Sequence, residues 1–318
     1  MESCGLNSTK TSKPMIAVIS HDAGGAEILS SYVRQEGMEC LFVLVGPARS
    51  IFERKLGRIA TSTLDEVIRK STSMICSTSW ESDIEVQAIK LSRTLGKRSV
   101  AFLDHWVNYR ERFTRCGEIV LPDEIWVGDH MAKAMATDVF LNVPIKLIEN
   151  PYLKDIKREF NSIQTYSPSR SGSISVLYVC EPISTHALLR YGNAHHWGYV
   201  EDDALRYFLL NISALNKPVE RVVIRPHPSE ANDKYSWVQQ EFKLPILLGG
   251  TCPLVEEIAE SDVIVGCESM ALVVALSIGK KVLSCIPPNG RTCVLPHTEI
   301  VKLQDLLEKK VEIYEDKA

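Results

Sequence analysis

The chain reads as an α/β protein of two parallel-sheet domains facing a central cleft. Three observations predict this. Short apolar, often β-branched runs alternate with helical patterns from Met15 to Ile148, and again from Ile174 to Val311, the signature of βαβ units. The first run ends in a Gly-Gly turn that opens a helix. Between the alternations, Asn161 to Ser175 is rich in Ser, with Pro168 and Gly172, as linkers are. At 318 residues the chain is also longer than one core normally supports.

The elements follow in order. Met15 to Ser20 is a strand, and His21-Asp22-Ala23-Gly24-Gly25 is its turn. A helical pattern runs through Ile28, Leu29, Tyr32 and Val33 to Gly37, and Cys40 to Val45 is the next strand. This is a Rossmann-like opening. Ser73 to Cys76, Ser99 to Leu103, Glu124 to Val127 and Ile145 to Ile148 are further strands, with a helix over Glu85 to Leu95 that Gly96 stops. Residues 15–150 therefore form a first Rossmann-like domain, 151–173 a linker and 174–318 a second such domain. In the second, strands are expected at Ile174 to Val179, Arg221 to Ile224, Leu244 to Leu248, Ser261 to Val265 and Lys281 to Cys285. Helices are expected over Glu201 to Leu215, Pro253 to Ala259, Ser269 to Ile278 and Val301 to Val311. Residues 1–14, polar and without an apolar core, read as a disordered leader and not a secretory signal.

Composition narrows the function. A net charge of −4 and no basic run with interleaved aromatics give no reason to expect nucleic acid. No apolar run reaches about 18 residues, so no membrane span is expected. Nine scattered cysteines without a CxxC pair suit a reduced, cytoplasmic setting better than a disulfide framework. His186, His195 and His196 lack the spacing of metal ligands. Neither a metal nor a cofactor is called for, and the composition leaves room for a homodimer.

Two strings carry the chemistry. Arg225-Pro226-His227-Pro228-Ser229-Glu230 follows a β-branched run, and so does Gly266-Cys267-Glu268-Ser269. Each is a loop at the C-terminal end of an expected buried strand, where open α/β sheets bind ligands. Pro226 and Pro228 restrict the backbone around His227 and fix its imidazole. Ser269 starts an almost wholly apolar helix, whose N–H groups suit a phosphate. Ser269 reads equally as an ordinary cap, but a cap does not explain Glu268 beside it. Glu181 ends another strand and is expected to line the cleft; Arg291, after the last strand, reads equally as a phosphate ligand or as part of a surface loop. In the first domain, Asp104 and Asp22 stand at strand ends, and Gly24 and Gly25 would let a ligand approach the backbone. Ser77-Thr78-Ser79 with Asp83 suits acceptor hydroxyls or a helix cap.

The pattern R-x-H-P after one strand and G-x-E-S-x-A-L…A-L-x-x-G-K after another resembles the nucleotide-binding half of GT-B glycosyltransferases, over about residues 174–290. In bacterial sialyltransferases and Kdo transferases an HP pair and a downstream Ser hold the CMP of the donor. His227-Pro228 and Ser269 match those elements, and Glu268 would take the ribose. CDP-glycerol-using polymerases of teichoic acid type carry the R-x-H-P string too. The sialyltransferase acidic motif is matched at Asp104 but not at the two residues after it.

The resemblance implies a metal-independent glycosyltransferase moving a nonulosonate or Kdo from a CMP-activated donor to a glycan acceptor. Asp104, or Asp22, would deprotonate the acceptor, while His227, Arg225 and the Ser269 helix start would stabilise the leaving phosphate. Two other readings stand beside it. One is an epimerase or hydrolase of the UDP-GlcNAc 2-epimerase type, with Glu181 or Asp129 as acid/base groups. The other is a non-catalytic nucleotide-binding subunit of a polysaccharide system.

Overall fold

The computed structural model describes residues 15–79, 82–163, 172–231 and 233–315. The leader expected at 1–14 lies outside them. The chain divides into two compact units, Met1–Tyr152 and Leu153–Ala318.

The first unit runs β1 (Ile16–Ser20), α1 (Ala23–Glu36), β2 (Cys40–Leu44), α2 (Ala48–Leu56), α3 (Leu64–Lys70), β3 (Ser73–Cys76), α4 (Ile84–Thr94) and β4 (Arg98–Leu103). A small antiparallel hairpin, β5 (Thr114–Arg115) and β6 (Glu118–Ile119), precedes β7 (Glu124–Val127), α5 (His130–Val139) and β8 (Ile145–Leu147). Six strands form one parallel sheet in the order β2-β1-β3-β4-β7-β8. Its central strands are continuous apolar runs because helices cover a parallel sheet on both faces. Val18, Ile75 and Phe102 are buried with Leu29 and Phe52 of the helices, each burial contributing about 1.5–3 kcal/mol. Gly37 ends α1 in the left-handed region at φ 56°, a backbone that glycine adopts without a Cβ penalty.

The segment expected as a linker carries a helix, α6 (Pro151–Ser162), which a proline at its first position favours.

The second unit runs β9 (Ile174–Val179), α7 (Ile183–Tyr191), α8 (Glu201–Leu210), β10 (Val219–Arg225), α9 (Val238–Glu241), β11 (Ile246–Leu248), α10 (Leu254–Ala259), β12 (Val263–Gly266), α11 (Met270–Ser277), β13 (Lys281–Ser284), β14 (Val301–Lys302) and α12 (Leu303–Glu315). Its sheet is also parallel, in the order β11-β10-β9-β12-β13-β14. Val176, Tyr178, Phe208, Val222, Ile224 and Val265 form its core. The helix expected from Val301 starts two residues later, because Val301 and Lys302 first pair with β13. Among the described residues no helix is long and apolar enough to cross a membrane.

Strand order marks one place in each sheet. From β1 the chain steps to β2 on one side and returns to β3 on the other; from β9 it goes out to β10 and β11, then returns to β12. Each reversal is a topological switch point, where a crevice opens at the C-terminal strand ends.

Candidate functional site

The second unit's switch point lies between the loops after β9 and β12. Glu181, two residues past β9, accepts the backbone N–H groups of Cys267 and Glu268 at 3.0 and 2.8 Å. Burial pushes its carboxyl up to about 7, against the lowering effect of the Cys267 and Ser269 backbone N–H groups and of Arg291. Ser269 caps α11, its Oγ accepting the Ala271 N–H at 3.2 Å. Glu268 is buried, ion-paired with Arg291 and accepting the Val294 N–H at 3.2 Å. The partner sought for Glu268 in a ribose is thus supplied by the chain itself. Arg291, expected at a phosphate, ties its guanidinium to Glu268 and lies 4.1 Å from the Trp197 ring centroid.

The loop after β10 adds an imidazole. His227 Nδ1 accepts the Ser229 N–H at 3.2 Å and lies 2.7 Å from Ser229 Oγ. With Nδ1 as acceptor, the neutral ring carries its hydrogen on Nε2. Burial holds His227 below the usual imidazole range, His186 adding to the effect and Glu230 opposing it. Glu230 pins the loop: it accepts the His227 N–H at 2.8 Å, Tyr235 Oη–H at 2.9 Å and Lys234 Nζ at 2.8 Å. Lys234 also pairs with the buried Glu201. Pro228 beside them is exposed and shapes the turn. Arg225 departs from expectation: it pairs with Glu257 at 2.6 Å and donates to Cys252 O at 2.8 Å. Its charge is spent on Glu257 of α10, and it also binds the loop before that helix.

The first unit's switch point gathers His21, Asp22, Ser77, Thr78, Ser79 and Asp104 at the ends of β1, β3 and β4. Asp22 Oδ1 accepts from Ser79 Oγ at 2.7 Å and lies 2.6 Å from His21 Nδ1. Asp104, 9% exposed, pairs at 2.7 Å with Arg112, itself 6% exposed. Arg112 also donates to Thr78 O and Oγ1 and to Val107 O. Ser77 and Ser79 do not serve hydroxyl binding or capping alone: they bond Glu85 and Asp22. The two glycines do something other than expected. A Cβ on Gly24 would lie 2.6 Å from Asp104 Oδ2, and one on Gly25 2.3 Å from Ser77 Cβ. They admit these side chains. Asp129, offered above as an acid/base group, caps α5 through Ala132 N at 2.7 Å and accepts Trp106 Nε1 at 3.0 Å.

Sequence reasoning missed Glu85 and Arg112. Glu85 is 2% exposed and accepts the His21 N–H at 2.9 Å and Ser77 Oγ at 3.2 Å. Burial pushes its carboxyl up to about 7, with Asp22 adding to the rise. One signal existed: Glu85 lies on the buried stripe with Ala88, Ile89 and Ser92, an i, i+3, i+4, i+7 series. Arg112 follows no such pattern. Among the described residues no group of three or more His, Cys, Asp or Glu is placed to hold a metal.

No family model and no curated protein sequence matches the chain. Solved structures do. The UDP-GlcNAc 2-epimerase from Methanocaldococcus jannaschii is similar at a TM-score of 0.59 and 10% identity, over 94% of this chain and 92% of that one. A variant of Os79 from O. sativa in complex with UDP is similar at 0.53 and 11% identity, over 94% and 90%. A UDP-glucosyltransferase from Polygonum tinctorium is similar at 0.50 and 9%, over 89% and 81%. Likeness at such identities shows the fold: a two-domain, GT-B-like α/β fold with two parallel sheets.

Proposed function

We propose that the chain is a nucleotide-sugar-dependent glycosyltransferase. The observation that carries this is His227: a neutral imidazole on a strand-end loop, its Nδ1 occupied by Ser229 and its Nε2 left as donor. Such a donor stabilises charge developing on a leaving phosphate. The GT-B-like fold, with neighbours that include a UDP-glucosyltransferase, supports the reading.

Asp22 is the better base of the two candidates. It is 21% exposed, and Ser79 and His21 fix its Oδ1 while Oδ2 remains to accept a proton. Asp104 is more deeply buried and is held by Arg112. In transfer, the acceptor hydroxyl gives its proton to Asp22 and its oxygen bonds the anomeric carbon. The bond from that carbon to the phosphate oxygen breaks, and the oxygen leaves with the electron pair, hydrogen-bonded by His227. The donor class is narrower: CMP follows from the resemblance of His227-Pro228 and Ser269 to sialyltransferases and Kdo transferases, with a nonulosonate or Kdo as the sugar and a glycan as acceptor.

One observation favours a second reading. Burial pushes the Glu181 carboxyl up to about 7 at the switch point, which suits an acid/base group of an epimerase or hydrolase.

The test is a thermal-shift panel of CMP, CDP, UMP, UDP and GDP, since a ligand that binds only the folded state raises the melting temperature by mass action. Cytidine preference supports the CMP donor; uridine preference removes it. NMR of the matching nucleotide sugar incubated without acceptor then separates the readings, because C2 epimerisation or free sugar supports the second. Nucleotide binding without any turnover in the presence of glycan acceptors points to a non-catalytic subunit.

A further inference from the structure

We propose that Glu85 is a positioning residue of the first unit's site: it holds a proton beneath the His21–Asp22 turn and keeps that turn seated, and loss of the proton unseats it. Its importance for transfer rests on the reading of Asp22 as the acceptor base.

The two oxygens of Glu85 are treated differently. Oε1 accepts both the His21 N–H and Ser77 Oγ–H, whereas Oε2 is buried with no hydrogen-bond partner. A carboxylate spreads its charge over both oxygens, and burying one without a donor is costly. A carboxylic acid concentrates its accepting power on one oxygen and carries the hydrogen on the other. The unpartnered Oε2 costs the neutral acid less than it costs the carboxylate, which would bury charge there. The site is built around it: Ser77 also meets Ser20 Oγ at 2.9 Å, and only a glycine at Gly25 leaves Ser77 its room.

The charged and titratable groups facing Glu85 come from two strand ends. After β1 stand His21 and Asp22, the first lowering and the second raising its pKa; at the end of β3 stands Cys76, whose thiol burial pushes up with Glu85 adding to it. An ionised Glu85 would therefore stand beside Asp22 with Oε2 unsolvated. The relief is movement away from Asp22, which breaks the bond to the His21 N–H and releases the turn. With its carboxyl pushed up to about 7, this happens as pH rises through about 7.

The test reads the His21 backbone amide by ¹H–¹⁵N NMR without substrate, from about pH 5 to about pH 9. In the wild-type chain this resonance moves with a midpoint near 7. In Glu85→Gln, whose amide keeps an accepting oxygen but cannot ionise, the movement disappears. If it persists in that variant, the His21 imidazole is its source and the proposal is overturned. Should Glu85→Gln not fold, infrared spectroscopy of Glu181→Gln protein serves instead. A buried carboxylic-acid carbonyl band present below neutral pH and lost above it supports the proposal, and absence of the band overturns it. Turnover by an Asp22→Asn variant would sink the acceptor-base reading alone, since the amide titration is read without substrate.

Discussion

Glu181 Oε1 takes the backbone N–H of Glu268 at 2.8 Å and that of Cys267 at 3.0 Å, so one strand end of the second unit supplies the acceptor for the next. Those N–H groups open the loop leading into α11, where the sequence had suggested a phosphate. The Ser269 N–H also lowers the Glu181 pKa, and Ser269 Oγ takes the Ala271 N–H, so the chain itself engages the donors at the start of α11.

The contact makes a pH prediction. Burial raises the folded-state pKa of Glu181 from the ordinary 4.5 to about 7. A raised value means that the folded chain binds the proton more tightly than the unfolded one. The stability this contributes is complete below about 4.5 and is lost as pH rises through about 7. Glu181→Gln keeps an acceptor for both N–H groups and cannot ionise. Its melting temperature should therefore gain on wild type as pH climbs through that window. Parallel curves would show that Glu181 does not titrate there.

A second prediction concerns Asp104 and Arg112. Removing one partner of a buried ion pair leaves an uncompensated charge, at about 3–5 kcal/mol. Arg112→Met strips Asp104 of its cation and should cost that much by urea unfolding. Asp104→Asn should cost less, because Arg112 keeps Thr78 O, Thr78 Oγ1 and Val107 O as acceptors. The reverse order would mean that the carboxylate, not the guanidinium, depends least on the pair.

A third concerns the Gly-Gly turn. Gly25→Ala sets a methyl 2.3 Å from Ser77 Cβ, a distance that something must move to relieve. Overpacking of this kind typically costs about 1–3 kcal/mol. Ser77→Gly removes the obstacle, so the double variant should lose less than the two single losses combined, measured as a coupling energy in a double-mutant cycle. Strict additivity would show that α1 and the loop after β3 do not meet there.

The fold was legible because parallel strands covered on both faces must be largely apolar, and Met15 to Ser20, Ser73 to Cys76 and Ile174 to Val179 are, each with a single serine. Loop positions were legible for the same reason: His227 and Ser269 follow such runs. What the loop residues do was less so. Arg225 reads as a phosphate ligand until Glu257, 32 residues on, is found against it; Glu268 reads as unpartnered until Arg291 arrives from the next loop. Both pairings are long-range and leave no periodic trace in the chain. Gly24 and Gly25 announce close approach but not of what. Glu85 alone left a local trace, an acid on an apolar helical stripe.

The last prediction returns to His227. Its ring is fixed from the Nδ1 side by Ser229, and its backbone N–H by Glu230, while the side chain stands on a partly exposed strand-end loop. His227→Ala should therefore cost the fold only the net value of a hydrogen bond or so, about 0.5–1.5 kcal/mol. The loss in rate should be far larger, about 10²–10³ for one charge-stabilising donor. His227→Gln separates donation from mere presence, since the Gln amide can place an N–H near the Nε2 position. A partial recovery of kcat in His227→Gln over His227→Ala, with little change in KM for the acceptor, is the expected result. Steady-state kinetics with the nucleotide sugar chosen by the binding panel decides it. If both variants turn over at the wild-type rate while melting normally, the imidazole is not at the leaving phosphate and the transfer reading loses its main support.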